Sequence, residues 1–244
     1  MKKIFYIVVV AILTLGFTSC EKESAGLTQI TYYAEIILEG DEQLVINKGS
    51  EYVEPGYKAV MAGEDVSNQV VVKSNVDTQK SGIYSILYSV TNADGFVASV
   101  SRSVIVLDLS DAIEGFWKVD VPNSQRIYQG GAPVAYKGAF EFLIINNGDG
   151  SYYVEDLFAG WYAQGAGYGN DYALEGRIVI ATDGSISLQK SYVPGWGKSA
   201  DSMTEGKYDA DGKTISYKLF YGGVVEGTTT PTIEFDVTLE KIEL

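Results

Sequence analysis

Two segments of the sequence combine aromatic residues with glycine in a way that is typical of binding loops. The first runs from Phe158 to Tyr172 and the second from Tyr192 to Lys198. Rings on such loops stack well on the faces of sugars or on peptide side chains, whereas glycine-rich loops are poor core formers. The sequence therefore predicts a ligand-binding surface. Its candidate residues are Trp161, Tyr162, Tyr168, Tyr172, Tyr192 and Trp196.

A structural interpretation of the two tryptophans stands beside the functional one. Trp161 and Trp196 could instead fold back and cover an end of the domain that carries them. The glycines between the rings do not form a phosphate-binding loop, because no Gly-Lys-Ser/Thr follows them and no strand-to-helix turn is evident. Stacking and capping therefore remain the two alternatives for these loops.

The composition excludes several kinds of catalytic and metal site. The chain has 244 residues, no histidine and one cysteine. Without histidine there is no Ser-His-Asp triad and no His-ligated zinc, and one cysteine forms neither an intramolecular disulfide nor a CxxC metal site. A formal net charge of -14 also argues against nucleic acid, which is bound by clustered basic surfaces. We expect no catalytic residue, no metal and no cofactor.

Carboxylates offer the one enzymatic alternative. A glycosidase needs two acids facing each other across a sugar, one of them with a raised pKa. Glu155 and Asp156 are adjacent, but neighbours in a strand point to opposite faces, so this pair is not expected to converge. The segment 209–212 (Asp-Ala-Asp-Gly) lacks the third ligand and the distal glutamate of a calcium loop and is predicted to be a hairpin turn. A carboxylate-dependent, glycan-processing enzyme is kept as an unfavoured alternative.

The N-terminal segment has the pattern of a processed export signal. Two lysines precede an apolar run that ends near Phe17, and small or polar residues follow up to Cys20. The run is too short for a membrane span of about 20 residues and fits a secretory signal. The sequence around Cys20 resembles a lipobox. We therefore expect residues 1–19 to be a signal peptide, Cys20 to be lipidated, and residues 20–26 to form the lipid anchor and tether.

Apolar residues recur with a period of two, which predicts strands and an all-β fold. Alternating runs cover Tyr84–Val90 and Ala98–Val106, and the segment Asn92–Gly95 between them is typical of a hairpin turn. No sustained helical stripe is evident after the signal segment. These elements must position the aromatic loops, so the loops are expected to connect strands of a β domain.

The sequence predicts two β domains with a boundary close to Leu107–Asp111. Residues 27–109 contain about seven short strands, the number and spacing of an Ig-like sandwich. Residues 110–244 contain eight or nine strands separated by turn residues, which favours an antiparallel meander. Both predicted domains are acidic, so the charge marks no particular site and is best explained by solubility.

The N-terminal domain resembles a known family. The strings at 49–59 (GSEYVEPGYKA), 88–95 (YSVTNADG) and 102–106 (RSVIV) resemble the bacterial surface Ig-like domain that recurs in Gram-negative lipoproteins. The resemblance covers about residues 36–108. It implies a β-sandwich used as a spacer or adhesion module, without catalytic residues.

The C-terminal domain opens with Gly115-Phe116-Trp117. A Gly-x-Trp at the start of a β meander resembles the entry strand of lipocalin-type barrels, in which the tryptophan closes one end. The resemblance implies a calycin-like barrel, and a second β-sandwich is the alternative.

The whole chain resembles accessory surface lipoproteins that are associated with SusC/SusD-type outer-membrane nutrient importers. The acidic tripeptide at 21–23, directly after Cys20, also resembles the surface-export signal of some Gram-negative lipoproteins. The resemblance implies a lipid-anchored protein of the outer membrane, exposed at the cell surface, that captures oligopeptides or glycans without catalysis. An adhesion or structural lipoprotein that binds a protein partner is the second alternative beside the enzyme.

Overall fold

The structure is a computed structural model that describes residues 30–243. The predicted signal peptide, the lipidated Cys20 and the tether lie outside the described residues. Within them the fold is all-β, as predicted, with a few short helical turns between strands. No helix in this part of the chain is long and apolar enough to cross a membrane.

The N-terminal domain is a sandwich of two sheets, as the Ig-like prediction requires. One sheet has three strands in the order β1-β3-β4, and the other has four in the order β2-β7-β6-β5. The pairing is antiparallel except between β2 and β7, which run parallel. The seven strands are β1 (Glu35–Leu38), β2 (Gln43–Asn47), β3 (Tyr57–Met61), β4 (Glu64–Asp65), β5 (Val71–Ser74), β6 (Gly82–Thr91) and β7 (Val97–Leu107).

The long hairpin β6–β7 builds most of the sandwich core. Its inward side chains include Tyr88 and Val104, both fully buried, because alternate residues of each strand face the other sheet. The predicted turn is present: the Asn92 side-chain oxygen accepts the backbone N–H groups of Asp94 and Phe96. The Asn92 side chain thus provides the hydrogen-bond acceptor for two backbone N–H groups of the turn.

Arg102 joins the two sheets from inside the sandwich. It is fully buried, and its guanidinium donates to the backbone carbonyls of Glu39, Asp41 and Gly56 at 2.8, 2.7 and 3.1 Å. The Glu54 carboxylate lies 3.5 Å away from it. Because a buried cation is tolerated only when it is paired and hydrogen-bonded, this network explains why the Glu-Pro-Gly turn and Arg102 occur in the same domain.

Glu54 accepts hydrogen bonds from the remaining polar groups of this network. Its carboxylate accepts the hydroxyls of Tyr52 and Tyr88 and the backbone N–H of Gly56. Although partial burial raises the pKa of Glu54, the tyrosine hydrogen bonds, the Gly56 N–H and Arg102 outweigh it, and the net shift is downward. The carboxylate is therefore held in its charged form opposite the buried guanidinium.

The C-terminal domain is one antiparallel sheet of ten strands that curls around a single core. Its strand order is β10-β9-β17-β8-β11-β12-β13-β14, and β16 joins β15 to the other side of β17. The strands are β8 (Gly115–Val119), β9 (Gln125–Tyr128), β10 (Val134–Ala135), β11 (Glu141–Asn146), β12 (Ser151–Val154), β13 (Glu175–Ile180), β14 (Ile186–Tyr192), β15 (Ser202–Asp209), β16 (Thr214–Val224) and β17 (Pro231–Lys241).

The calycin-like barrel that the sequence predicts is not closed within residues 30–243. The strands β14 and β15 lie side by side without a ladder between them, and the residue before β14, Ser185, forms an isolated bridge with Lys207 of β15. The register of β15 shifts between Thr204 and Lys207, and Glu205 in this bulge has a φ of 53°. Bulges bend a strand away from its neighbour. Beyond the bridge the strands diverge around an open cleft of about 520 Å³.

Trp117 is buried at one end of the domain, as the Gly-x-Trp resemblance implied, although the barrel is not closed. Its side chain is fully buried, and its indole Nε1 donates to the carbonyl of Ile113 at 2.8 Å. Trp117 pairs with Lys241 of β17, while Arg126 of β9 pairs with Phe235, six positions earlier in the same strand. Because a strand rises about 3.3 Å per residue, these pairs lie about 20 Å apart, at opposite ends of the domain.

The two domains pack directly against each other. Ile105 and Leu107 of β7 lie in a buried apolar cluster with Leu143 and Ile145 of β11. Beside the cluster, the Ser81 hydroxyl donates to the buried Glu114 carboxylate at 3.0 Å, and burial raises the pKa of Glu114. The apolar contact and this polar bond hold the N-terminal sandwich against the outer face of the C-terminal sheet.

Candidate functional site

The longest loop of the C-terminal domain leaves β12 and returns at β13, and Asp156 holds both of its ends. Oδ1 accepts the backbone N–H groups of Phe158 and Leu174 at 2.8 and 2.9 Å, and Oδ2 accepts that of Gly160 at 2.9 Å. Asp156 is almost fully buried, and burial raises its pKa to about 6, against the opposing effect of the three N–H donors. The carboxylate thus fixes the shape of the loop through these three hydrogen bonds.

The loop continues into a single π-helical turn, Trp161–Gly165, that presents the first two predicted rings. The residue before it, Gly160, has a φ of 79°, and a Cβ there would lie 2.4 Å from the Cβ of Phe140. Only glycine satisfies both conditions. π turns occur often at functional sites, where they re-aim side chains.

The second loop, between β14 and β15, is pinned to the end of the first. The backbone N–H of Gly195 donates to the carbonyl of Asp171 at 2.7 Å. A Cβ on Gly195 would lie 2.8 Å from the Tyr172 ring, so the two loops approach as closely as backbone permits. This contact brings Trp196 next to the rings of the first loop.

Five of the six predicted ligand-binding residues meet at this end of the domain. Tyr162 lies at the centre, with its ring centroid 4.8 Å from Trp196 in an edge-on contact and 6.1 Å from Tyr168 in a nearly parallel stack. Tyr172 lies 5.4 Å from Tyr168 and 5.2 Å from Trp196. The name aromatic cluster is used below for these five residues: Trp161, Tyr162, Tyr168, Tyr172 and Trp196.

The aromatic cluster covers the core with one side and meets solvent with the other. Phe235 and Phe158 form its buried base, and the centroid of Phe235 lies 6.0 Å from Trp161 and 6.0 Å from Tyr162. Trp161, Tyr162 and Trp196 are half-buried against this base, whereas Tyr168 is 55% exposed. The cluster therefore covers the core and also leaves part of its rings exposed to solvent.

Tyr192 is the predicted site residue that the structure leaves out of the cluster. It lies at the end of β14 and is 50% exposed, but it faces a shallow depression of about 280 Å³ on the outer face of the sheet. Tyr153 and Arg177 line the same depression. The chain reverses direction between Tyr192 and Trp196, so the two rings point to different surfaces.

Arg126 of β9 is the cation of this site, and it was not predicted from the sequence. Its guanidinium carbon lies 5.3 Å from the ring centroid of Tyr128, 5.4 Å from that of Trp161 and 5.8 Å from that of Tyr162. These distances are typical of cation–π contacts. Within residues 30–243 its guanidinium makes no ion pair. Tyr128, which is 50% exposed, extends the ring surface beyond Arg126.

Two buried polar atoms around the aromatic cluster have no hydrogen-bond partner in the described chain. One is Nε of Arg126, and the other is the hydroxyl of Tyr221, whose ring lies 5.1 Å from Phe158 and 5.9 Å from Trp196. Buried polar groups are normally hydrogen-bonded, so each exception points to strain, to solvent or to a ligand. Two of the four such atoms in the described chain lie at this end of the C-terminal domain.

The sequence carried only a weak signal for Arg126 and Tyr128. They sit in Gln125-Arg126-Ile127-Tyr128, a short strand without glycine, far from both loops along the chain. Arg126 is one of only three arginines in an acidic sequence. That rarity was the available clue, but the pairing with Phe235 that brings Arg126 to the rings is a long-range contact.

The candidate carboxylate pair does not converge in the structure, although both residues lie just past the end of β12 and not within a strand. Glu155 turns outward and accepts the backbone N–H of Leu143 at 2.9 Å, while Asp156 turns into the core. The segment 209–212 is the hairpin turn between β15 and β16, as predicted. Among residues 30–243, no group of three or more acidic or cysteine side chains is placed to hold a metal ion.

Comparisons with known proteins match both domains. A family model for the Ig-like domain of bacterial surface proteins matches residues 36–106, and a model for a C-terminal domain matches residues 107–241. The crystal structure of the lipoprotein BT2262 from Bacteroides thetaiotaomicron is 35% identical and has a TM-score of 0.68. The match covers 86% of this chain and all of that chain.

The other structural matches are much weaker. The CBM51-2 and INT domains of ZmpB from Clostridium perfringens, solved with GlcNAc, are 19% identical with a TM-score of 0.27, over 50% of this chain and 31% of that chain. At this score the likeness carries no argument about fold or function. A comparison with curated proteins returned no match.

Proposed function

Because the chain belongs to the family of the Bacteroides lipoprotein BT2262 and contains the Ig-like domain of bacterial surface proteins, we propose that it is a surface lipoprotein. In this proposal acyl chains on Cys20 anchor it in the outer membrane, and the C-terminal domain faces outward. The N-terminal domain acts as a rigid spacer, which its packing against β11 supports. A covalent lipid is needed here, since an acidic chain gains nothing from anionic lipid head groups.

The C-terminal domain is proposed to capture an oligosaccharide or oligopeptide without chemical change. The aromatic cluster carries this proposal: two loops distant in sequence bring five rings together at one end of the domain and leave part of them exposed. Exposed rings held by a rigid base bind ligands at low entropic cost. The captured ligand would be passed to a SusC/SusD-type importer, to which this protein is an accessory.

Ring removal tests the ligand-binding surface. An array of oligosaccharides and peptides is probed with the mature chain from residue 20, with Cys20→Ser to prevent acylation. We expect Tyr168→Ala to weaken binding of the ligands found by about 1–3 kcal/mol, by analogy with base–aromatic stacking. Trp196→Ala is expected to do the same. Affinities follow from calorimetric titration of each variant.

Tyr192→Ala is the matched control, because Tyr192 is nearly as exposed as Tyr168 but lies outside the cluster. It should bind like the wild type. Equal loss in the Tyr168 and Tyr192 variants, or no loss in the Tyr168 and Trp196 variants, would remove the cluster as the binding surface. Turnover of any array glycan would favour the enzyme alternative.

Gentle extraction of outer membranes tests the anchor and the importer together. The wild type should be found in the membrane fraction, be cleaved by external protease on intact cells, and copurify with a SusC/SusD-like pair. Cys20→Ala should be lost from the membrane. Absence of the pair from wild-type extracts would contradict the accessory role while leaving the anchor intact.

One observation supports the adhesion alternative. The outer face of the four-stranded sheet in the N-terminal domain exposes Val45, Ile83 and Leu87. Exposed apolar residues on one face are a common feature of protein-binding surfaces. If Ile83→Asp abolished copurification with a protein partner while every ligand on the array failed to bind, the adhesion role would be favoured over ligand capture.

A further inference from the structure

The aromatic cluster is flanked by a cation that the protein itself does not neutralise. Arg126 lies between the exposed ring of Tyr128 on one side and the cluster residues Trp161 and Tyr162 on the other. Its guanidinium has no carboxylate partner among residues 30–243, although the chain carries 32 acidic side chains. A half-buried guanidinium without a carboxylate partner is available to an external anion.

The other two arginines of the chain are both paired with carboxylates. Arg102 contacts Glu54 and three carbonyls, and Arg177 donates to Asp149 at 3.0 Å. The Nε of Arg126 is buried without a partner, as is that of Arg102. A guanidinium in this state gains more from a carboxylate than a fully hydrated one, since part of its desolvation has already occurred on folding.

The exposed rings on both sides of Arg126 suit a sugar. A notch of about 60 Å³ beside the cluster, lined by Trp161, Phe140 and Lys137, is too small for most side chains. Peptide recognition commonly relies on side-chain pockets or on addition to a strand edge. Flat, partly exposed rings such as Tyr128 and Tyr168 instead match the flat face of a pyranose.

On the basis of the proposed function, we propose that the ligand is an acidic oligosaccharide whose carboxylate-bearing sugar places its carboxylate on Arg126. A neighbouring sugar ring stacks on Tyr128 or Tyr168, on either side of the guanidinium. Lys137, at the far edge of Trp161, adds a second positive charge to the same end. Arg126 supplies the specificity for charge, and the rings supply affinity that is independent of charge.

The test compares an acidic probe with its uncharged form. A tetrasaccharide of galacturonic acid and the same tetrasaccharide with methyl-esterified carboxylates are titrated calorimetrically into the Cys20→Ser mature chain at 0.15 M salt. We expect the acid to bind at least tenfold more tightly than the ester. Arg126→Gln should remove this preference and leave ester binding within twofold of the wild type.

Arg177→Gln is the control for net charge, because Arg177 carries the same charge on the outer face of the sheet, away from the cluster. It should retain the preference for the acid. Equal affinity for acid and ester in the wild type, or an unchanged preference in Arg126→Gln, overturns the assignment. Binding of acidic peptides but not of the acidic sugar, in an Arg126-dependent manner, also overturns it in favour of a peptide ligand.

The outcome separates this inference from the proposed function. If neutral glycans bind and lose affinity in Tyr168→Ala but not in Arg126→Gln, the aromatic cluster is a binding site and the charge assignment is wrong. If neither probe nor any array ligand binds, both proposals fail. A far-ultraviolet circular dichroism spectrum of Arg126→Gln identical to that of the wild type establishes that its loss of preference is local.

Discussion

Replacing Arg102 by methionine is expected to lower the free energy of unfolding of the N-terminal domain by about 3–5 kcal/mol. Methionine keeps the apolar volume but leaves the carbonyls of Glu39, Asp41 and Gly56 without their buried donor. It also removes the cation opposite Glu54, whose pKa is lowered in part by that charge. A loss of this size is a large part of the stability of a small domain.

The chain offers a clean way to measure this effect. All three tryptophans, Trp117, Trp161 and Trp196, lie in the C-terminal domain, so their fluorescence reports on that domain, while circular dichroism reports on both. Arg102→Met should lower the urea concentration at the midpoint of the circular dichroism transition, and should lower the midpoint of the fluorescence transition much less.

Lys58→Met is the matched control, because Lys58 pairs with Glu39 at 2.7 Å on the exposed surface. Its unfolding curve should overlay that of the wild type, since exposed pairs contribute little. An Arg102→Met protein as stable as the control would show that the buried guanidinium does not hold the two sheets together.

Replacing Asp156 by alanine is expected to cost the C-terminal domain about 3–5 kcal/mol. Three buried N–H groups, those of Phe158, Gly160 and Leu174, would lose their acceptor, at about 1–3 kcal/mol each with partial relaxation. Asp156→Asn should cost less, because the amide oxygen can still accept two of the three. Urea unfolding followed by tryptophan fluorescence gives both values.

Asp156→Ala should also abolish ligand binding by the folded protein, because the loop that carries Trp161 begins at the Asp156 carboxylate. The readout is calorimetric titration, without urea, with a ligand that the array identifies. Wild-type affinity in Asp156→Ala would show that the loop keeps its shape without the Asp156 carboxylate. Glu155→Ala, one residue away and pointing outward, is the control and should bind normally.

The raised pKa of Asp156 gives a pH signature with a defined sign. Burial raises the pKa to about 6 from an ordinary value of 3.8, so between these values the folded chain holds a proton that the unfolded chain releases. The contribution of this group to stability is full below pH 4 and is lost as the pH rises to 6, by about 3 kcal/mol at most. Asp156→Asn should flatten the stability profile in this window relative to the wild type.

The strands were predictable because period-two alternation is a local property. The hairpin β6–β7 and its Asn92 turn follow from it directly, and so does the inward face with Tyr88 and Val104. The alternation failed at Ile105 and Leu107, which are buried although they face out of their own sandwich. Their burial depends on the neighbouring domain, about which a local pattern carries no information.

The aromatic cluster was partly predictable for a similar reason. Glycine with aromatic residues marks a loop with exposed rings, which located Trp161, Tyr162, Tyr168, Tyr172 and Trp196. The same pattern predicts Tyr192 as a sixth binding residue, and the structure places it outside the cluster, because the strand direction at the end of β14 decides its surface.

Arg126 and Asp156 could not be assigned from their local sequences. Arg126 reaches the rings only through pairing with β17. Asp156 looked like half of an acid pair, whereas its surroundings make it the acceptor that shapes the loop. The open seam between β14 and β15 also depends on a bulge whose signal, a positive φ at Glu205, is not visible in residue types.

The claim that the aromatic cluster is the ligand-binding surface is tested most directly by the indole N–H signals of the three tryptophans. In a ¹H–¹⁵N spectrum each indole gives one resonance, assigned by single substitution. Titration with the best ligand from the array should shift the signals of Trp161 and Trp196. The signal of Trp117, buried about 20 Å away and bonded to Ile113, should stay in place. Saturable binding that moves neither Trp161 nor Trp196 would contradict the account.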